Sequence, residues 1–365
     1  MKPLFHPRLV NDPFGDPGLY VDFHLDRRAL LFDLGDLSPL SSRQLLKVSH
    51  AFVSHTHMDH FAGFDALLRV LLGRDKRLHL FGPPGFLDRV EHKLAAYTWN
   101  LVTGYDSELT VRATEVGSDG GVLAGVTADF PSREGFRRAP AAPWPIAGGV
   151  LLDEETFRVR AAVLDHKIPC LAFALEEKFH VNVWKSGLER LGLPVGPWLR
   201  DLKSAVARGE PDATPVTVRW RDGAGVRQRA VPLGELRAAA LRIVPGQKIV
   251  YVTDVVYHER NAAAIVDLAR GADWLFIEAT FARDEVARAA EKHHLTSGQA
   301  GSLARRAGAW SPSTSHPSTR APATASSARS RRRSRQGSRW RSGNCPLLRT
   351  FLPDSRPETL AGALH

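Results

Sequence analysis

The chain has 365 residues, a formal net charge of +10 and two cysteines, Cys170 and Cys345, too few for a disulfide framework or a thiolate metal cluster. No stretch approaches membrane-spanning length and the N-terminal run lacks an apolar signal core, so a cytoplasmic protein with no membrane partner is expected. The charge is concentrated in residues 310–365, which hold ten arginines and two acids; residues 1–309 carry only +2, so the high pI says little about a nucleic-acid surface on the body.

Residues 19–34 predict two short strands joined by a turn at Asp26–Arg28. Leu45–Ser54 is an apolar run with a strand-like end at Ala51–Ser54, and Phe61–Leu72 has the pattern of a helix. Between them the chain reads Ser-His-Thr-His-Met-Asp-His, an H-x-H-x-D-H run made of His55, His57, Asp59 and His60. Imidazole and carboxylate are borderline-to-hard donors that suit zinc and related divalent ions. In an extended segment His55 and His57 point the same way, because side chains alternate. If the chain then turns into a helix, Asp59 and His60 face a second ion beside the first. The bland alternative is a His-rich polar loop, which does not account for three imidazoles and a carboxylate in six residues. His50, His79 and His92 stand alone and read as surface or core residues.

Residues 76–81 and 109–116 predict further strands. Residues 118–149 are rich in Gly, Pro and Ala and read as a loop insertion. Phe157–Leu164 predicts a strand ending at Asp165-His166, and Leu171–Leu175 another. Residues 176–235 change character: a pair of short helices around Gly192-Leu-Pro-Val-Gly-Pro197, then a hairpin, read as an insertion that projects from the domain. Lys248–Thr253 predicts a buried strand ending at Asp254, Asn261–Arg270 a helix, and Trp274–Ile277 a strand ending at Glu278. Glu285–Lys292 and Ser297–Ala307 complete an alternation of strands and helices that requires a layered α/β fold. His166 and Asp254 each follow a predicted strand, where ligands in an α/β sheet converge. Each also has an ordinary reading, a solvated loop histidine and a helix cap.

The H-x-H-x-D-H run resembles the signature of the metallo-β-lactamase superfamily. Within it, the chain resembles the ribonuclease Z family, endonucleases that trim the 3′ end of precursor tRNA. SHTHMDHFAGF, VLDHKIPCLAFALEE, IEATF with HLTSGQAG, and GLPVGPWLRDLKSAVARGE carry the resemblance, which spans roughly residues 19–309. It implies an αββα sandwich over residues 1–309, an inserted tRNA-holding arm over 177–235, and a homodimer. It also implies two Zn2+ sites: His55, His57 and His166 in the first, Asp59 and His60 in the second, Asp254 bridging. A metal-activated hydroxide would then attack phosphorus, with Asp59 orienting the nucleophile. His294 would act at the leaving oxygen or the phosphate, or else is a helix-capping surface histidine. Glu278 would orient His294 or sit on the rim. Ile277 and Leu295 stand where the family has His and Ser, Asp33-Leu34-Gly35-Asp36 replaces its Cys-Gly-Glu, and the arm-like segment is not strongly basic.

The family has one more metal-binding histidine soon after the last helix, in a run like Val-Pro-Phe-His-Phe-Ser. Here Trp310 opens a Ser/Thr/Pro/Arg/Ala segment without apolar periodicity, the composition of a disordered tail. Read one base earlier, codons for Trp310-Ser-Pro-Ser-Thr-Ser-His-Pro317 admit Leu-Val-Pro-Phe-His-Phe-Ser-Pro. Residues 310–365 therefore read as a frameshifted translation, which leaves the second metal site incomplete and the enzyme impaired. Two other functions fit less of the chain: a different metallo-β-lactamase-fold hydrolase acting on a small phosphodiester or ester, and a non-catalytic nucleic-acid binder using the Arg-rich tail.

Overall fold

The computed structural model describes residues 4–308, apart from Leu25, Gly120, Gly121 and Ala224, and the backbone of Leu347–Phe351. The first sheet is built in chain order. Strands β1 (Phe5–Leu9), β2 (Leu19–Phe23) and β3 (Ala29–Phe32) are antiparallel neighbours. After α1 (Ser42–Leu45), β4 (Val48–Phe52) lies parallel to β3. Helices α2 (Met58–Phe61) and α3 (Phe64–Leu71) lead to β5 (Lys76–Gly82), and α4 (Phe86–Ala95) to β6 (Leu109–Asp119), both added in parallel. Antiparallel β7 (Val122–Pro131) and β8 (Ala139–Pro140) complete the eight strands.

The second sheet starts with β9 (Val150–Asp153), β10 (Phe157–Asp165) and β11 (Pro169–Glu177). The chain then leaves through β12 (His180–Val183), α5 (Lys185–Arg190), α6 (Leu199–Ala207), the hairpin β13 (Pro215–Asp222)–β14 (Gly225–Pro232), and α7 (Leu233–Ala240). It returns through β15 (Leu241–Val244), paired with β12. Strand β16 (Lys248–Val252) rejoins the sheet beside β11. Helix α8 (Glu259–Ala269), β17 (Trp274–Glu278), α9 (Val286–Lys292) and α10 (Ser297–Arg306) follow. Strand β18 (Leu347–Phe351) pairs antiparallel with β17 at the sheet edge.

Strand alternation makes the layers. On β5, Leu78 and Leu80 face the α1–α4 side, with Val53, Leu67, Leu71 and Phe86, whereas Phe81 faces the other way. On β11, Leu171, Phe173 and Leu175 face inward while Ala172 and Ala174 meet α8 and α10. The inner layer is aromatic: Phe32, Phe52 and Phe81 stack 5.1 Å apart in succession and meet Phe173 from the opposite sheet. Fully burying one such ring contributes about 1.5–3 kcal/mol. The result is an αββα sandwich, as expected from the resemblance, and no described helix is long and apolar enough to cross a membrane.

Three expectations are corrected. Residues 118–149 are not all loop: Val122–Pro131 is a strand paired along its length with β6 and anchored by a two-pronged Arg112–Asp129 ion pair at 2.7 Å. Phe61–Leu72 is not one helix; the chain breaks at Ala62-Gly63, where a Cβ on Gly63 would overlap the Gly35 carbonyl oxygen. The insertion runs to Val244 rather than residue 235, and has its own core around Trp198, Leu202, Val218, Val231 and Leu236. Across 180–244 it holds eleven Lys/Arg against six Asp/Glu, so the whole module is more basic than its first half suggests. The tail expected from 310 lies outside the described residues except for β18.

Candidate functional site

The ends of β3, β4, β10, β16 and β17 share one edge of the sandwich, and each contributes a polar side chain there. Beyond β4, the extended segment through Ser54 carries His55 and His57, and α2 then presents Asp59 and His60. His166 follows β10 and Asp254 follows β16. His55, His57, His166 and Asp254 place donor atoms within 4.8 Å of one another, and Asp254, Glu278 and His294 form a second such group. His55 Nε2 lies 2.8 Å from His57 Nδ1. Asp254 Oδ2 lies 3.7 Å from His55 Nε2, 3.4 Å from His60 Nε2 and 3.5 Å from His166 Nε2, while Asp59 Oδ2 is 3.6 Å from His60 Nε2. All six residues singled out for metal binding are therefore brought to one place.

Burial keeps His55, His60 and Asp254 away from water. It holds His55 near a pKa of about 2, with the neighbouring His60 as a further cause, so the ring is the neutral, ligating form. Burial also opposes charge on His60, but Asp254 and Asp33 on either side outweigh it and hold its pKa well above the ordinary value. Burial likewise works against the Asp254 carboxylate, and His60 overrides it, keeping the pKa well below the usual range. His60 Nε2 and Asp254 Oδ1 are buried without a well-formed hydrogen bond. Orphaned polar atoms of this kind need an explanation, and a divalent cation held among these donors supplies one. The donor set, imidazoles with carboxylates and no thiolate, suits zinc.

A second ring of groups fixes these side chains. Asp33, fully buried and left-handed at φ 58, receives the Ser54 amide on Oδ1 at 2.7 Å. Its Oδ2 lies 2.9 Å from His60 Nδ1 and also accepts Ser54 Oγ–H at 2.8 Å and Tyr251 O–H at 3.1 Å. Ser54 Oγ touches His55 Nδ1 at 3.1 Å and accepts from Thr253 at 3.2 Å, with Cys170 Sγ 3.7 Å from the same His55 nitrogen. With Nδ1 engaged, Nε2 of His55 and His60 turns to the cluster. Asp33, Ser54, Tyr251 and Thr253 carry no role in the sequence pattern alone; the strand-end positions of Asp33 and Thr253, like that of Asp254, are the one signal there.

Glu278 is fully buried, accepts the Val255 amide at 2.7 Å and Thr280 Oγ–H at 2.6 Å, and lies 3.2 Å from His294 Nδ1. Burial raises its pKa, opposed by the His294 hydrogen bond. Burial works against charge on His294 in turn, but Glu278 overrides it and raises the pKa. A partly exposed histidine readily protonated beside a buried acid suits proton donation. Ile277 and Leu295, the two departures in these loops, turn away into the helix-side core, so they do not alter the site surface. His79 is buried, His50 half-buried against Arg28 and Ser49, and His92 exposed.

No protein-family profile matches the chain. Individual relatives do. A ribonuclease Z from Deinococcus radiodurans is 36% identical over 306 residues, covering 82% of this chain and 86% of that protein. A ribonuclease Z from Myxococcus xanthus is 31% identical over 305 residues, covering 80% and 78%. Among solved structures, the short form of human tRNase Z superposes with a TM-score of 0.44 at 16% identity, covering 83% of this chain and 87% of that one.

Proposed function

The chain belongs to the ribonuclease Z family, and from that premise we propose that it is a zinc-dependent endoribonuclease that removes the 3′ trailer of precursor tRNA. The observation that carries this reading is the convergence of His55, His57, His166 and Asp254 with the orphaned His60 Nε2 and Asp254 Oδ1. His55, His57 and His166 would hold one ion, Asp59 and His60 a second, with Asp254 between them. Zinc bound there supplies the Lewis acidity that makes water nucleophilic near neutral pH and offsets charge on the phosphoryl oxygens.

The protein's own groups do the rest. Asp59, on the open side of the cluster with its side chain 36% exposed, orients the attacking water. His294, 19% exposed, meets the phosphate or the leaving oxygen and gives up its proton there. Glu278 holds the His294 ring and keeps it protonated until substrate arrives. Asp33 and Ser54 hold His55 and His60 in register, so no ligand reorganises during the reaction.

Residues 310–365 are a frameshifted tail in this proposal, and the terminal histidine of the second site is lost with the frame. The first site keeps its full set and binds zinc more tightly than the second. The protein acts in the cytoplasm, as a homodimer. Testing is direct: chelator-stripped protein with the frame restored should regain cleavage of a 3′-extended precursor tRNA or an aryl phosphodiester on zinc addition. Hydrolysis of lactams or thioesters but no phosphodiester would sink the assignment. A small-ester or small-phosphodiester hydrolase is the second reading; the basic module over 180–244, useless to a small substrate, weighs against it.

A further inference from the structure

We propose that His293 is a positioning residue whose left-handed backbone turns its own carbonyl oxygen onto His166 and so fixes the ring with which His166 faces the ligand cluster. His293 ends α9 at φ 60 and ψ 38, with its amide bonded back to Ala289 and Ala290. Its carbonyl oxygen lies 2.8 Å from His166 Nδ1. A carbonyl only accepts, so Nδ1 carries the hydrogen and the lone pair stays on Nε2, the nitrogen 3.5 Å from Asp254 Oδ2. The same turn delivers His294, whose amide bonds to the Ala289 carbonyl and whose ring meets Glu278. Immediately beyond, Leu295 is fully buried and its carbonyl accepts from the Phe281 amide, so the segment has little room to relax. One unusual backbone conformation therefore serves two functional rings.

The side chain at 293 matters here chiefly through φ. Non-glycine residues seldom sit at positive φ; His and Asn tolerate it, glycine adopts it freely and β-branched residues resist it. Valine at this position moves the carbonyl, and His166 Nδ1 loses its acceptor. Loss of such an outer partner typically weakens a metal site about 10–100-fold.

The inference rests on the proposed metal site, and the experiment separates the two. Zinc affinity of the full chain is measured by competition with a chromophoric chelator for the wild type, His293→Val, His293→Asn and His293→Gly. Gly271→Val joins them as a strain control, since Gly271 is also left-handed, at φ 68, with open space around its Cβ position. Imidazole 15N shifts of His166 in the zinc-free protein give a second readout that needs no metal. The expected result is affinity lowered about 10–100-fold in His293→Val alone, with loss of the single Nδ1–H tautomer. Equal affinity and an unchanged tautomer in His293→Val would overturn the proposal, as would an equal loss in Gly271→Val. Wild type that binds no zinc while His166 keeps its tautomer would instead overturn the metal reading. If His293→Val does not fold, His293→Ala, with a milder backbone penalty, replaces it.

Discussion

At the scale of single residues, the site gathers a neutral His55 and a charged His60 against the buried Asp254 carboxylate, with Ser54 and Asp33 holding the two rings from behind. In the proposed metal centre, His55→Ala removes one of the donors of the first site. It should abolish zinc binding there and lower phosphodiester cleavage by at least about 100-fold, which metal analysis and turnover measured together will check. Gly63→Ala tests the loop that carries His55, His57, Asp59 and His60. Its methyl has nowhere to go but into the Gly35 carbonyl, and a Cβ on Gly35 would in turn meet the Asp59 carbonyl oxygen at 2.6 Å. A loss of about 1–3 kcal/mol in urea unfolding, with weaker zinc binding, is expected. A third prediction concerns His50 and His79, whose pKa values burial lowers to about 3 and about 2; Arg28 adds to this at His50, and His50, Arg112 and Arg77 add to it at His79. In the unfolded chain both return to about 6.5. Below that pH the unfolded state takes up protons first, so the contribution of these two rings to stability is complete above about pH 6.5 and falls with acidification, by up to roughly 1 kcal/mol per pH unit for each ring. Urea midpoints at pH 7, 6 and 5 should show the slope, and His79→Gln should lessen it; an unchanged slope in that variant would exclude His79 as a source. Reading the H-x-H-x-D-H run from sequence was possible because donor density is local. Asp33 escaped because a lone strand-end acid looks the same whether it caps a turn or, as here, anchors His60 from a segment 27 positions away.

At the scale of elements, strands with a clear apolar face were legible and those made of small residues were not. Strand β7 is built largely from Gly, Ala, Thr and Val, so its composition suggests loop, and only pairing with β6 makes it a strand. The inserted module was visible as a change of composition. Its end was not, because α7 and β15 close a small core whose residues come from both halves of the insertion. That closure makes a clean excision possible, since His180 pairs with Val244 where the two strands leave the body. Replacing 180–244 by a short Gly-Ser turn should leave zinc content and aryl phosphodiester turnover within about twofold, while raising KM for precursor tRNA by about tenfold or more, because remote contacts supply binding energy to a large substrate. Equal loss on both substrates would show that the module supports the site instead.

At the scale of the whole molecule, two sheets bring their strand ends to one edge, so residues 199 positions apart, Ser54 and Thr253, meet in a single hydrogen bond. Long-range convergence of this kind is invisible to periodicity. The family resemblance supplied it, and the αββα layering gives it a physical basis. The tail is a question for DNA: the nucleotide sequence around codon 309 should carry a slip that restores a histidine near codon 313, and a frame whose codons cannot encode that run would rule the frameshift out. The proposed activity is metal-dependent trimming of tRNA precursors. Its most direct test is gel mapping of a 3′-extended precursor tRNA incubated with the frame-restored chain, first stripped by chelator and then reloaded with zinc. Stripped protein should leave the precursor intact and, on reloading, make a single cut at the start of the trailer that His55→Ala cannot make. A reloaded, zinc-containing protein that leaves the trailer untouched, or cuts equally well without metal, would contradict it.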